Sequence, residues 1–406
     1  MSHARSRFGF AAFLSSLVVA CGSDPASPDR SDDPQPSGDP SAADLATSEI
    51  IGRGDGSPES VNLTVVYEPG QHPDGSVMAP TGLAFNAARP SELWVTLRHP
   101  PEDTPCNKGT TTACVWLWGH VAIIANPEGD APAVEVKWDD NGWHFMRRPT
   151  SIAWGDGDLF ATCAEARTSN YEDDAVPYNG PVLWSSDPAI FGAPADPDSP
   201  TGSTHIDMLH ESPYCMGIAH ERDNVYWTFN GDAGSLDRYD FHAPHAPGED
   251  DHSDGEVWRY ATGELLRVPE VPSHMAYDRA RDRLYVADTG HHRIVGLHTK
   301  TGREDGVIET LDPIPTYAQM TGARLDEIVR PGVVGTPSGL ALHQDVLFVT
   351  DPVSHLVLAF DLQGRLLRAL DVGLPSGALG AVAVSPNGVA YVTDTATGRV
   401  LRVDPL

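Results

Sequence analysis

The sequence predicts an all-β protein, a six-bladed β-propeller of four-stranded antiparallel blades. From residue 61 onward the chain is a series of short apolar runs divided by polar turns that contain Gly, Pro, Asp or Asn, a pattern typical of strands. One pair of runs recurs six times at intervals of 42 to 69 residues, and a four-stranded blade needs about 40–45 residues. The apolar content of 40% is sufficient for a large core.

Residues 1–20 have the composition of a signal peptide. Arg5 and Arg7 supply positive charge, and residues 8–19 form an apolar run that is too short to span a membrane. The sequence Leu-Val-Val-Ala-Cys that ends at Cys21 resembles the bacterial lipobox. This resemblance implies lipidation of Cys21 and a lipid-anchored location at the bacterial cell envelope, on the periplasmic or surface side of the outer membrane. The alternatives are an ordinary signal peptide cut nearby and an uncleaved anchor.

The next segment, residues 21–60, is rich in Ser, Pro, Asp and Gly and nearly free of aromatic residues. Such a composition buries too little apolar surface to fold. We therefore predict a disordered tether here, followed by the propeller in residues 61–406.

Each predicted blade begins with a short strand rich in small residues, as the crowded centre of a propeller requires. These first strands are residues 80–85, 149–154, 215–220, 272–277, 337–342 and 379–384. The second strands are residues 93–97, 159–163, 225–229, 284–288, 347–351 and 390–394.

Two segments have patterns that differ from those of the repeated strands. The last blade has only three strands of its own, and residues 61–67 alternate between apolar and polar side chains. We expect this N-terminal strand to close the ring as the missing outer strand, because closure removes exposed edges. Residues 317–329 have a helical period and predict a short surface helix.

The corner after the second strand of blade four reads Ala-Asp-Thr-Gly-His-His-Arg-Ile, residues 287–294, and resembles the NHL repeat, a β-propeller blade. About residues 270–403 resemble the repeat in their motif, and the earlier blades resemble it in the spacing of their strands. Asp288, Asp351 and Asp394 occupy equivalent corners. A carboxylate there accepts hydrogen bonds from backbone N–H groups, so we predict a structural role for all three.

Some proteins of similar fold are enzymes, among them peptidyl-hydroxyglycine lyases, streptogramin lyases and gluconolactonase-like lactonases. The resemblance to the first group would place zinc-binding histidines in Pro-His corners of several blades. Here those corners read Pro-Thr, Pro-Thr, Cys-Met, Pro-Ser, Pro-Ser and Leu-Gly, and His274 comes one position late. The acidic channel residues of the lactonases have no clear counterpart.

Four cysteines remain after Cys21, and an even number in an exported protein suggests disulfides. Cys106 and Cys114 lie in one loop and would staple it. Cys163 ends the second strand of blade two and Cys215 starts the first strand of blade three, so a bridge between neighbouring blades is expected. The alternative is a pair of thiolates in a metal site.

We expect several histidine and methionine side chains, including His210, on the face of the propeller that carries Cys163 and Cys215. The candidate ligand-binding residues at the channel mouth are His274, Met216, His144, Met146 and His291. His, Met and Cys are the ligands that copper prefers, although no tight metal-binding spacing is present. The other candidate metal ions are zinc at the same residues and calcium at the acidic loops. The five other blades have Gly, Ser or Ala at the position of His274.

The net charge of −30 excludes nucleic acid as a partner, because phosphate contacts need basic patches. We predict a monomeric, envelope-tethered propeller that acts as a non-catalytic binding or scaffold module for a protein or a small ligand. No catalytic set recurs in the blades. A metal-dependent hydrolase or lyase acting at the channel is one alternative, and a copper or redox protein that uses the His, Met and Cys rim is another.

Overall fold

Six sheets follow one another along the chain, and the innermost strands of neighbouring sheets contact each other around a closed ring. This computed structural model describes residues 39–70, 77–99, 118–169, 176–194, 196 and 198–406. Five of the sheets have four strands and one has six, and the strands are antiparallel apart from one parallel pair in the six-stranded sheet. The prediction of a six-bladed propeller is confirmed.

Blades one to three are formed in chain order from the inside outward. Blade one comprises β2 (Ala79–Phe85), β3 (Glu92–Arg98), β4 (His120–Ala125) and β5 (Ala133–Lys137). Blade two comprises β6 (Pro149–Trp154), β7 (Leu159–Ala164), β8 (Val182–Ser185) and β9 (His205–Met208). Blade three comprises β10 (Cys215–Arg222), β11 (Val225–Asn230), β12 (Ser235–Asp240) and β13 (Glu256–Tyr260).

Blades four to six complete the ring. Blade four comprises β14 (Met275–Asp278), β15 (Arg283–Asp288), β16 (Arg293–His298) and β19 (Leu325–Val329). Blade five comprises β20 (Leu340–His343), β21 (Val346–Asp351), β22 (Leu356–Asp361) and β23 (Leu366–Asp371). Blade six comprises β24 (Leu379–Val384), β25 (Ala390–Asp394), β26 (Arg399–Pro405) and β1 (Val61–Tyr67).

The N-terminal strand closes the ring, as predicted. β1 pairs antiparallel with β26, from Val61 opposite Pro405 to Tyr67 opposite Val400. Tyr67 and Val400 are buried in one apolar cluster with residues of blade one. The first and last parts of the propeller are thereby joined by backbone hydrogen bonds, and blade six has no unpaired outer edge on β26.

The predicted helix at residues 317–329 is wrong, because this segment forms two strands. β17 (Arg303–Val307) and β18 (Thr316–Thr321) form a hairpin that leaves blade four, and β18 pairs in parallel with β13 of blade three. Tyr317 is buried in the core of blades two and three. The chain then returns to blade four as β19. This excursion extends blade three to six strands.

The structure also differs from the predicted tether over residues 42–60. Helix α1 (Ala42–Ser48) begins at Ser41, whose hydroxyl accepts a hydrogen bond from the backbone N–H of Asp44 at 3.0 Å. Two short 3₁₀ turns, Glu49–Ile51 and Pro58–Ser60, follow it. Ile51 is fully buried against blades five and six. Apolar residues within this polar segment therefore dock it onto the propeller.

Hydroxyl groups near the channel tie neighbouring blades together. Thr81 Oγ1 donates to the carbonyl of Pro149 at 2.9 Å, and Thr150 Oγ1 donates to the carbonyl of Cys215 at 2.8 Å. Thr289 links blade four to blade five in a similar way. Ser or Thr at these positions thus satisfies backbone acceptors that the inner strands leave unpaired.

Two of the corner aspartates serve their own turns, as predicted, whereas Asp288 accepts a hydrogen bond from the backbone N–H of Leu266, outside its turn, at 2.9 Å. Asp351 accepts hydrogen bonds from the backbone N–H groups of Val353 in its turn at 3.1 Å and of Gly335 before the blade at 2.7 Å. Asp394 accepts one from Ala396 at 3.1 Å. In the described part of the chain, no helix has the length and apolarity needed to span a membrane.

Candidate functional site

A cavity of about 410 Å³ opens at the mouth of the central channel, where the second strands of the blades end. Blade one contributes Thr81 and Arg98, the segment before blade four contributes Glu270, and blade six contributes Gly380 and Ala396. Two blades and the segment that joins blades three and four therefore shape one concave site, which is the usual position for a ligand in a closed β-structure.

One wall of the cavity belongs to a network of charged side chains. Arg98 Nη2 donates to Glu165 Oε2 at 2.8 Å and to Glu270 Oε2 at 2.6 Å. Arg148 also donates to Glu270, and Arg267 Nη1 lies 3.1 Å from Glu165 Oε1. Three guanidinium groups thus face two carboxylates, which leaves an excess of positive charge in a strongly acidic protein.

Arg98 has a hydrogen-bond donor that the described residues do not satisfy. Its side chain is only 5% exposed, and Nη1 is buried with no partner among them. Burial, together with the nearby charge of Arg148, lowers the pKa of Arg98 from its ordinary value, and Glu165 and Glu270 partly offset this effect. A guanidinium nevertheless stays protonated, so Nη1 remains a charged donor that lacks an acceptor.

His274 crosses the channel next to this cavity. Its Nε2 lies 2.9 Å from the carbonyl oxygen of Thr81 in blade one and 3.1 Å from that of Thr150 in blade two. Because both partners are acceptors, Nε2 carries the proton. Burial lowers the pKa of the imidazole, which favours this neutral form. The structure places His274 in the channel, as expected, but it commits Nε2 to binding backbone carbonyls.

The other predicted ligand residues do not meet His274 at one site. Met146 lies in the apolar core between blades one and two, and Met216 lies in the core between blades three and four. His291 is exposed and hydrogen-bonds to Asp288, with Nδ1 and Oδ2 2.9 Å apart. Met216 lies on the first strand of blade three and Met146 follows the helical turn Gly142–Phe145, and both side chains are buried.

His144 and His210 do approach each other, with ring centroids 5.6 Å apart. They lie on the outer side of blades two and three. His210 stacks on Tyr178 and its Nδ1 lies 3.0 Å from Asp312 Oδ1. Two of the predicted metal-binding histidines therefore belong to a different part of the molecule from His274.

The disulfide between Cys163 and Cys215 is confirmed, with the two Cα atoms 5.3 Å apart. It joins the second strand of blade two to the first strand of blade three. Its sulfurs are not thiolates, so the copper or redox interpretation loses both of its cysteine ligands. The predicted bridge between Cys106 and Cys114 lies outside the described residues.

The charged network was missed in the sequence, although a signal for it exists. The strand registers place Leu97 and Ala164 at the positions that Asp288, Asp351 and Asp394 occupy in later blades. Arg98 and Glu165 come one residue later in adjacent blades. Opposite charges at equivalent positions, next to corners that have lost their aspartate, point to an ion pair at the channel mouth.

A second cavity of about 450 Å³ lies between the outer strands of blades three and four. Two of its charged groups, Arg293 and Asp326, are already paired. Arg293 bonds to Asp288 at 2.7 Å, and Asp326 accepts from Arg283 at 2.6 Å. This cavity therefore offers a ligand less than the channel mouth does.

The comparisons with known proteins agree with the fold. No protein-family profile matches the chain. NHL repeat-containing protein 2 of Homo sapiens is 32% identical over 94 residues, which is 23% of this chain and 12% of that protein. Its counterpart in Bos taurus is 29% identical over 99 residues, again 12% of that protein. The similarity thus spans about an eighth of these curated relatives, and the blades of this chain are similar to NHL repeats.

Among solved structures, an auxiliary nutrient binding protein from Bacteroides thetaiotaomicron superimposes with a TM-score of 0.50 and 10% identity, covering 84% of this chain and 75% of that one. A similar protein from Bacteroides ovatus gives a TM-score of 0.48 and 11% identity, covering 85% and 76%. At these identities the likeness concerns the fold alone.

Proposed function

We propose that this protein is a non-catalytic binding propeller that takes a small ligand with a carboxylate group at the mouth of its channel. The observation that carries the proposal is Arg98, a charged side chain at the cavity wall with a buried donor that lacks an acceptor among the described residues. A ligand carboxylate would supply that acceptor. Charge-assisted bonds of this kind are about twice as strong as neutral ones.

The surrounding residues support binding rather than chemistry. His274, in the channel beside the cavity, uses Nε2 to donate to two carbonyls. His99 lines the cavity itself. Glu165 accepts hydrogen bonds from two arginines and from the backbone N–H of Glu270. With its oxygens occupied in this way, Glu165 is poorly placed to transfer a proton to a ligand.

The proposal includes a location. Lipidation of Cys21 would hold the propeller at the bacterial envelope, where a binding module meets small solutes. The Bacteroides thetaiotaomicron protein of similar fold is an auxiliary nutrient binding protein, and a soluble ligand of that broad class is compatible with the size and charge of the channel mouth. The lipobox-like ending before Cys21 supports the anchor.

The experiment is a melting-temperature screen of the purified chain against succinate, citrate, gluconate and galacturonate. A ligand that binds the folded state alone raises the melting temperature in proportion to the logarithm of its concentration. We expect at least one of these carboxylates to stabilise the wild type and to lose its effect on Arg98→Gln. Arg303→Gln is the matched control, because Arg303 is an exposed arginine of the β17 hairpin.

Arg98→Gln also removes two ion pairs and is therefore expected to lower the melting temperature on its own. Ala396→Trp avoids this difficulty, because Ala396 is exposed at the rim and a larger side chain there fills the cavity without entering the core. Equal stabilisation of the wild type and both variants by every carboxylate, or stabilisation of none of them, contradicts the proposal.

A further inference from the structure

Three histidines converge at a place unrelated to the channel mouth. His205 opens β9, the outer strand of blade two, and His245 and His252 lie in the loop between β12 and β13 of blade three. The ring nitrogens that the three offer all lie within 4.8 Å of one another. None of the three histidines lines the cavity at the channel mouth.

Backbone hydrogen bonds fix the loop against blade two. The N–H of His245 donates to the carbonyl of Ile206 at 3.0 Å, and the N–H of Gly248 donates to the carbonyl of His205 at 2.9 Å. The loop thus runs along β9 and presents its histidines to His205. The three histidines converge because the backbone of the loop is hydrogen-bonded to β9.

The hydrogen bonds of the rings leave one nitrogen of each loop histidine for a ligand. His252 Nδ1 lies 3.0 Å from Asp207 Oδ1, and His245 Nδ1 lies 2.8 Å from the carbonyl oxygen of Ala246. The Nδ1 of His252 also lies 3.3 Å from the backbone nitrogen of Met208, so both hydrogen-bond contacts of that ring in the described part of the chain are made by Nδ1. With the ring proton on Nδ1 in both loop histidines, each Nε2 keeps a lone pair for a ligand. A carboxylate or carbonyl behind the ring is the arrangement that orients metal-binding histidines.

His205 supplies the strongest indication of a missing ligand. It is fully buried, and neither of its ring nitrogens has a hydrogen-bond partner in the described part of the chain. His245 Nε2 is also buried and unpaired there. Phe145 stacks on the His205 ring with centroids 3.9 Å apart, which fixes its orientation. Buried polar atoms are almost always paired, so three unpaired nitrogens at one point need an explanation.

We propose that His205, His245 and His252 bind one divalent transition-metal ion, with zinc as the ion they suit best. Three neutral imidazoles form the protein part of many tetrahedral zinc sites, whereas calcium and magnesium require oxygen ligands. Zinc at about 2.0–2.1 Å from each nitrogen needs ligand nitrogens roughly 3.3 Å apart. Binding therefore requires the three nitrogens, now within 4.8 Å of one another, to move closer together.

The surroundings favour a cation. The loop carries Glu249, Asp250, Asp251 and Asp254 around His252, and their charges raise the local concentration of divalent ions. With three protein ligands, the fourth position is left to water or to a small ligand.

The test uses the full chain without a polyhistidine tag, stripped of metal by a chelator and dialysed against zinc chloride. We expect one zinc ion per chain in the wild type and an affinity at least tenfold lower in His245→Ala and in His252→Ala. His242→Ala is the matched control, since His242 is an exposed histidine of the same loop that hydrogen-bonds to Glu256. Its zinc content should equal that of the wild type.

Two further measurements, the melting temperature and the spectrum of the cobalt-substituted protein, test the same site. Zinc should raise the melting temperature of the wild type and of His242→Ala but not that of His245→Ala, and without metal the variants should melt close to the wild type. Cobalt substituted into the wild type should give the visible bands of a four-coordinate ion. The inference is overturned if the wild type binds no stoichiometric zinc, if both triad variants retain it, or if cobalt shows only six-coordinate bands.

Discussion

His274 in blade four donates a hydrogen bond from Nε2 across the central channel to the carbonyl oxygen of Thr81 in blade one, 2.9 Å away. A second bond at 3.1 Å reaches Thr150 in blade two. One side chain thus connects blades that are not neighbours in the ring. It also occupies the channel at the level where the inner strands begin, so the cavity at the channel mouth is not part of an open pore at this point.

We predict that His274→Ala destabilises the propeller. The change leaves the carbonyls of Thr81 and Thr150 without this donor and creates a void in the channel. Removing one partner of a buried hydrogen bond costs about 1–3 kcal/mol. Urea denaturation should show a loss of this size in the free energy of unfolding. His291→Ala, at an exposed histidine, should leave that free energy nearly unchanged, and equal values for both variants would contradict the structural role of His274.

The same residue predicts a pH dependence. Burial holds the pKa of His274 in the folded protein below its ordinary value of about 6.5. As the pH falls below that value, the unfolded chain takes up a proton that the folded chain does not, so the stability due to neutral His274 is lost. His274→Gln has no such group. The difference in melting temperature between wild type and His274→Gln should therefore shrink from pH 8 to pH 5, and a constant difference would refute the expected shift.

The bridge between Cys163 and Cys215 predicts a further difference in stability. It closes a loop with a sequence separation of 52 residues, and a disulfide of this kind stabilises by about 2–4 kcal/mol. The double variant Cys163→Ser, Cys215→Ser should lose stability in this range in urea denaturation, and reductant should then have no additional effect on it at this site. A non-reducing peptide map of the wild type that yields both cysteines as free thiols would refute the bridge.

Membrane attachment through Cys21 is tested in cells. Cys21→Ser removes the only group in the lipobox-like sequence that can carry the lipid, so the variant should move from the detergent phase to the aqueous phase on phase partitioning. Cys106→Ser is the control for loss of a cysteine as such and should partition as the wild type does. A Cys21→Ser protein that stays in the detergent phase contradicts lipidation at this residue.

Much of the fold could be predicted because the information is local. Each blade begins with small residues and continues after a turn into a second apolar run, and this pattern can be read within about 20 residues of sequence. The closing strand could also be predicted, since alternation in residues 61–67 and a three-stranded last blade complement each other. The helix at 317–329 was wrong because β18 is held by parallel pairing with β13, a contact between distant segments that no local periodicity reports.

The sites were harder to predict for a related reason. Met146 and Met216 were placed at the channel mouth by strand position, but whether a side chain points to the channel or between blades depends on the register of the whole sheet. The triad joins His205 to a loop 40 residues later, and the bonds that bring them together run through Ile206 and Gly248 backbone groups. Backbone bonds of this kind do not depend on side-chain identity, so they cannot be recognised in the sequence.

The most direct measurement of the binding function is an equilibrium titration of the wild type and of Ala396→Trp with the carboxylate that gives the largest rise in melting temperature. The account predicts one binding site per wild-type chain and a dissociation constant at least tenfold higher for Ala396→Trp, which keeps Arg98 and its ion pairs but fills the cavity. A dissociation constant that is the same for Ala396→Trp, Arg98→Gln and the wild type would mean that the ligand binds elsewhere, and would contradict the assignment of the channel mouth.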